Sequence, residues 1–112
     1  MPASVPDAGD LIWLTFDPQA GHEQAGRRPA LVLSPKPYNR KSGLALVYPV
    51  TNQMKGYPFE VPVPGNCGVT GVILADQVKS LDWKVRQAER IGRVPLPTLN
   101  EALARLAPLL GY

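Results

Sequence analysis

The stretch that decides the reading of this chain is Gly21-His22-Glu23-Gln24-Ala25-Gly26-Arg27-Arg28-Pro29, running at once into Ala30-Leu31-Val32-Leu33-Ser34-Pro35. Between Glu23 and Pro29 it packs an acid, an amide, a glycine-hinged turn and two guanidiniums, and then an apolar strand begins. A carboxylate and an arginine held at the lip of a strand can take a proton and cradle a phosphate without a metal. Taken alone, the same run also fits a surface loop whose charges are merely solvated.

Outward from it the chain reads as mainly β. Leu11 to Phe16 is the first strand, and Asp17-Pro18 turns out of it. Ala30 to Ser34 is a continuous apolar strand stopped by Ser34-Pro35. Ala45 to Val50 is a third, and its internal Pro49, which cannot donate to a ladder, predicts an edge or a bulge. Phe59 to Val63 alternates, Val72 to Ala75 reads as buried with Ala75 to Leu81 open as its continuation, and Arg90 to Val94 is a last short strand. Several short strands at roughly ten-residue spacing predict a compact barrel.

Near the C-terminus the period changes. Pro95-Leu96-Pro97 breaks the chain, and Thr98-Leu99-Asn100-Glu101 has the form of a capping box, with Thr98 as the expected cap. Leu99, Ala102, Leu103, Leu106, Ala107 and Leu110 then share one helical face, which predicts a core helix rather than a site. Pro108 removes the hydrogen bond to the carbonyl of Ala104 and should fray or kink the last turn.

Composition limits the classes. The 112 residues suit one domain over 1–112, and a chain of this size buries about 60 to 70% of its extended surface, enough for one modest core. No stretch approaches the roughly 18 to 20 apolar residues of a membrane span, and the N-terminus has no basic or apolar leader pattern, so a cytoplasmic protein is expected. One cysteine, Cys67, cannot close an intrachain disulfide, and together with one histidine it cannot build a zinc site, so no metal or cofactor is expected. Cys67 sits in Pro64-Gly65-Asn66-Cys67-Gly68 and reads as incidental.

The net charge of +3 is unevenly spread. Residues 1–26 carry Asp7, Asp10, Asp17 and Glu23 with no Lys or Arg, whereas residues 27–55 carry Arg27, Arg28, Lys36, Arg40, Lys41 and Lys55 with no acid. Such a block suits a phosphate-tracking groove, and equally a solvated face. Lys36, Tyr38, Asn39, Arg40 and Lys41 form a basic loop with one aromatic, the mix that holds a strand by charge and stacks a base. Lys55-Gly56-Tyr57 repeats that chemistry, and Asp76, Gln77 and Lys79 can read base edges through acceptor, amide and cation.

These segments, with Asp10 to Trp13, Phe16-Asp17-Pro18, Ser34-Pro35, Gly43, Thr51 and Lys55-Gly56-Tyr57-Pro58-Phe59-Glu60-Val61, stand in an order and spacing that resembles the MazF/PemK family of toxin ribonucleases. The resemblance runs from about Val5 to the terminal helix. It implies an SH3-like barrel with a C-terminal helix, a homodimer, metal-independent cleavage of single-stranded RNA, and inhibition by an acidic, MazE-like antitoxin. It also implies that Glu23, Arg28 and Thr51 act together in catalysis. On that reading Ser34, Lys36, Tyr38, Asn39, Lys41, Lys55, Tyr57, Asp76, Gln77 and Lys79 line the RNA groove. Relatives with similar loops favour short ACA-containing sites, although Asn52 stands where many carry a hydroxyl residue.

The chemistry is self-consistent. Attack of the RNA 2′-OH on the adjacent phosphorus needs a base, stabilisation of the phosphoryl charge, and a proton for the leaving oxygen. Glu23 suits the base, and Arg28 can pair with phosphoryl oxygens in a bidentate fork. A guanidinium pKa above about 12 makes Arg28 a charge stabiliser rather than a general acid. Thr51 can donate a hydroxyl hydrogen bond to the same phosphate. Bland roles stay open: Arg28 paired with Asp10 or Asp17, Thr51 ending a strand, His22 an exposed loop histidine. Two other classes also remain: a CcdB-type gyrase poison on the same fold, and an RNA-binding barrel without catalysis.

Overall fold

The computed structural model describes residues 4–16 and 26–112. His22, Glu23, Gln24 and the Asp17-Pro18 turn lie outside the described residues. The elements, in order, are β1 (Asp10–Phe16), β2 (Gly26–Val32), α1 (Lys36–Ser42), β3 (Leu44–Thr51), β4 (Glu60–Pro62), β5 (Val72–Leu74), β6 (Lys79–Asp82), β7 (Glu89–Arg93), α2 (Leu96–Ala104) and α3 (Leu106–Leu109).

All pairings are antiparallel, in the order β4-β5-β3-β2-β1-β7, with β6 also paired to β3. The alternation of side chains along β1 to β3 sends Leu11, Leu31, Tyr48 and Val50 into one apolar cluster, with Val61, Ile73, Leu99 and Ala102. Ile12, Leu14, Phe16, Ala30, Val32, Ala45 and Val47 fill the other, around Trp83. Segments covered on both faces need continuous apolar runs, which is how Ala30 to Leu33 and Ala45 to Val50 read in sequence. The terminal strands β4 and β7 do not pair, so the ladder stays open. The chain after β4 nevertheless lies tight on β7: a Cβ at Gly92 would run into the Cys67 carbonyl, and one at Gly68 would lie 2.7 Å from Ile91 Cγ2. Backbone contact wraps the barrel where hydrogen bonds do not.

Two prolines explain the ladder's gaps. The Leu33 N–H donates to Leu46 O (2.8 Å), so alternation points the nitrogens of Leu31 and Pro29 toward β3 and that of Pro49 away from β2. Pro49 falls where β6 stops at Val47 and β5 begins at Val50, so its missing donor faces a break between partners. Of the two places expected for Pro49, an edge or a bulge, the edge is corrected: β3 is central, and Pro49 is buried in it at the break between partners. Pro29 lies at the end of the β2–β3 ladder, which closes at Ala30 and Pro49.

Other boundaries also shift. β2 starts at Gly26, so Arg27 and Arg28 are strand residues paired across to Thr15 and Leu14. Ala75 to Leu81 does not continue β5; the Gln77 N–H donates to Leu74 O (3.1 Å), the chain turns, and β6 pairs separately with β3. The basic loop is largely a helix. Pro37 suits the first turn of α1, Gly43 (φ 74°) closes it by donating to Asn39 O, and Arg40 and Lys41 sit favourably in its last turn.

At the C-terminus, Pro95 rather than Thr98 precedes the helix, and no side chain caps it. The Thr98 amide already donates to Pro95 O (3.0 Å), and Glu101 pairs with Arg105 instead of reaching back. α2 ends at Ala104, the carbonyl that Pro108 cannot engage, as expected. The single core face is corrected too. Leu99 and Ala102 are buried, but Leu103, within α2, is exposed, and so is Leu110, which lies beyond the interruption at Arg105 that stops the later positions from continuing that face. Cys67 is buried in the first cluster.

Candidate functional site

Thr51 closes β3 and is buried, its Oγ1 accepting the Gln53 N–H (3.1 Å). Such a hydroxyl-to-backbone bond two residues on turns the chain out of the strand. Gly71, at φ +121°, crosses behind it so closely that any Cβ would strike the Thr51 carbonyl. The chain then runs through Asn52 to Phe59 and returns as β4. The Glu60 carboxylate receives the Lys55 N–H (3.0 Å) and the Gly56 N–H (2.9 Å), with Gly56 at φ +78°.

The opposite wall is the turn after β5. The Ala75 N–H donates to Phe59 O (3.0 Å), which ties the two walls together. Between them lies a cavity of about 340 Å³ lined by Thr51, Gln53, Lys55, Tyr57, Phe59, Glu60, Leu74, Asp76 and Gln77. Tyr48 is fully buried, and burial, with the nearby Asp76 carboxylate, raises its phenol pKa above 10.0. The Gln77 Oε1 is buried with no hydrogen-bond partner among the described residues. An aromatic pair, one lysine, two carboxylates and two amides around one cavity can stack a base and meet its edge with donors and acceptors.

Five of the residues expected from sequence thus converge: Thr51, Lys55, Tyr57, Asp76 and Gln77. Others lie apart. Lys36, Tyr38 and Lys41 are exposed on α1, and Lys79 is half-buried on β6, opposite Val47. Arg28 does not line the cavity. The β2–β3 register nevertheless leads to it, since two residues beyond the Ala30–Pro49 pair are Arg28 and Thr51. Glu23 lies outside the described residues.

Ser34 and Asn39 are corrected as groove residues. Both are buried: Ser34 donates to Asn39 Oδ1 and accepts the Leu46 N–H, while Asn39 donates to Pro6 O and Ser34 O. Their polar atoms hold α1 to β3 and to the N-terminal segment. Trp83 adds to this by donating its indole N–H to Asn39 O (3.0 Å). Sequence reasoning missed Gln53, Phe59, Glu60 and Leu74 as cavity residues. The one available signal was Glu60 itself, an acid closing a run with a glycine and two prolines nearby.

The profile of the family described as PemK-like, MazF-like toxin of type II toxin-antitoxin system matches residues 7–110. The chain belongs to this family. It is 53% identical over 107 residues to the endoribonuclease toxin MazF of Escherichia coli (strain K12), covering 96% of each chain. The crystal structure of MazF from Deinococcus radiodurans superposes with a TM-score of 0.93 at 56% identity, covering 98% of this chain and 100% of that one. A MazE-MazF crystal structure from the same organism superposes at 0.86 with 50% identity, covering 97% and 98%. The matched stretch of this PemK-like, MazF-like chain spans all seven strands and the whole cavity between β3, β4 and β5.

Proposed function

We propose that this chain is an endoribonuclease toxin that cleaves single-stranded RNA, arrests growth and is neutralised by a cognate antitoxin. A relative sharing about half its residues over nearly the whole length is an endoribonuclease toxin by name, and a MazF of similar identity is crystallised with MazE. The observation that carries the reading is the cavity at the end of β3. It gathers a hydroxyl, a lysine, aromatics and base-reading polar groups on one wall-bound site.

The reaction proceeds by attack of the 2′-oxygen on the neighbouring phosphorus. The 2′-proton passes to Glu23, the P–O5′ bond breaks, and the departing 5′-oxygen takes a proton from solvent water, the hydroxide left behind being neutralised by the proton that Glu23 releases. The products are a 2′,3′-cyclic phosphate and a 5′-OH. Arg28 and Thr51 stabilise the charge on the phosphoryl oxygens as it grows. Lys55, Tyr57, Asp76, Gln77 and Lys79 hold and read the bases, while Lys36 and Lys41 follow the backbone and Tyr38 stacks a base. Among the described residues no helix is long and apolar enough to cross a membrane; cytoplasmic residence, where mRNA is met, belongs to this reading. So does a homodimer, for which the exposed Leu103, Leu109 and Leu110 supply apolar surface.

The test is to incubate the purified protein with a defined single-stranded RNA in excess chelator and map both new ends. Cyclic phosphate and 5′-OH ends are expected, with no cleavage when the 2′-OH upstream of the cut is replaced by hydrogen. A metal requirement or 5′-phosphate ends would overturn the mechanism, and binding without cleavage would favour a non-catalytic RNA-binding barrel.

A further inference from the structure

The wall of the cavity formed by Lys55 to Phe59 carries mostly exposed side chains, yet its backbone is held at every residue. The amides of Lys55 and Gly56 donate to the Glu60 carboxylate, and Tyr57 O accepts the Glu60 N–H (3.1 Å). Pro58 O accepts the Arg105 Nε–H (3.1 Å), and Phe59 O accepts the Ala75 N–H. Four of these five residues are therefore fixed by β4 or by the neighbouring turn. Pro58 is fixed from 47 residues away, by a side chain on the C-terminal helices. Arg105 stands at the break between α2 and α3 and is itself oriented by an ion pair to Glu101 (3.2 Å) one turn earlier.

We propose that Glu60 and Arg105 are positioning residues that clamp this wall from two sides, so that the C-terminal helices preset the surface on which RNA is held. The inference rests on the RNA-cleaving reading of the same cavity. Its physical basis is preorganisation. An exposed segment of five residues that had to order on binding would spend affinity on its own entropy, and a segment already bonded at each residue does not. The wall touches bases rather than the reacting phosphate, so loosening it costs ground-state and transition-state binding alike. The loss therefore falls on KM and not on kcat.

The experiment compares the full chain with R105A, R105K and E60Q, using steady-state cleavage of one defined RNA together with amide hydrogen exchange of the RNA-free proteins. For R105A the expected result is a KM raised about three- to tenfold, the cost of one solvent-exposed hydrogen bond, with kcat essentially unchanged. R105K, which keeps one donor for Pro58 O, should recover part of the loss. E60Q, which keeps one acceptor oxygen, should shift KM in the same direction. In R105A and E60Q the amides of Lys55 and Gly56 should exchange faster than in the parent. A merely structural arginine would instead lower the melting temperature and the active fraction, reducing apparent kcat at constant KM; that result would overturn the proposal. Unchanged exchange at Lys55 and Gly56 would overturn it independently of any cleavage. Should the parent protein fail to cleave RNA, the functional reading fails while the exchange comparison still decides the clamp. If R105A does not fold, E60Q carries the same comparison.

Discussion

At the residue scale, the proposed mechanism separates groups that would do chemistry from groups that would hold a strand. Arg28 lies on β2 at the end of the ladder that leads toward Thr51, whereas Lys41 is exposed on α1. Arg28→Ala should therefore slow cleavage roughly 100-fold or more, as loss of a preorganised charge stabiliser does, with an unchanged circular dichroism spectrum. Lys41→Ala should leave the rate at saturating RNA intact and lower the slope of log affinity against log salt by about 1. Small, equal losses in both would make Arg28 structural. Tyr48 offers a separate prediction. Its phenol is buried, has no hydrogen-bond partner for its oxygen among the described residues, and has a pKa raised above 10.0 by burial and then by Asp76. A raised folded pKa means that the phenol's stabilising contribution is fully present below pH 10.0 and is lost as pH climbs through the folded value. Tyr48→Phe should remove that alkaline loss from a plot of melting temperature against pH. It should cost little at neutral pH, since no bond is broken.

At the element scale, glycines decide how closely segments can pass. β7 lies against the chain that follows β4, and a methyl group at Gly92 has nowhere to go but into the Cys67 carbonyl. Backbone cannot give way as a flexible side chain can, so Gly92→Ala should cost about 2 kcal/mol or more. That corresponds to a melting temperature lower by roughly 10 °C for a domain of this size. Gly65 lies in the same connection with open space around it and no left-handed φ. Gly65→Ala should be neutral or slightly stabilising, because it only narrows the unfolded ensemble. Thermal melts of the two variants side by side check the contact; equal melting temperatures would remove it. The elements also show where local pattern misleads. Ser34-Pro35 reads as a breaker, yet Pro35, extended at ψ 155°, leads directly into α1 and Pro37 sits in its first turn. Thr98-x-x-Glu101 has a capping box's letters, but the helix had already begun at Leu96.

At the scale of the whole molecule, a chain of net charge +3 places six of its twelve cations on β2, α1 and the cavity wall. An acidic, flexible antitoxin segment would be drawn to the same cations as RNA. Purified antitoxin should therefore displace a non-cleavable RNA analogue, with an affinity that falls as salt rises. An inhibitor that binds without displacing RNA, or equally tightly at all salt concentrations, would exclude the overlap. By itself the sequence determined the strand-rich class, the positions of most strands, the family and the kinds of chemistry present. Those follow from local apolar patterning and from motif residues whose types are fixed by what they must do. Only the tertiary structure decided that the strand holding Pro49 is central and that Ser34 and Asn39 are buried supports. It alone showed that Thr51, Lys55, Tyr57, Asp76 and Gln77 share one cavity, and that Arg105 reaches Pro58. Strand partners, burial and hydrogen bonds across dozens of residues depend on which distant segments meet, and no local window of sequence contains both sides of such a contact.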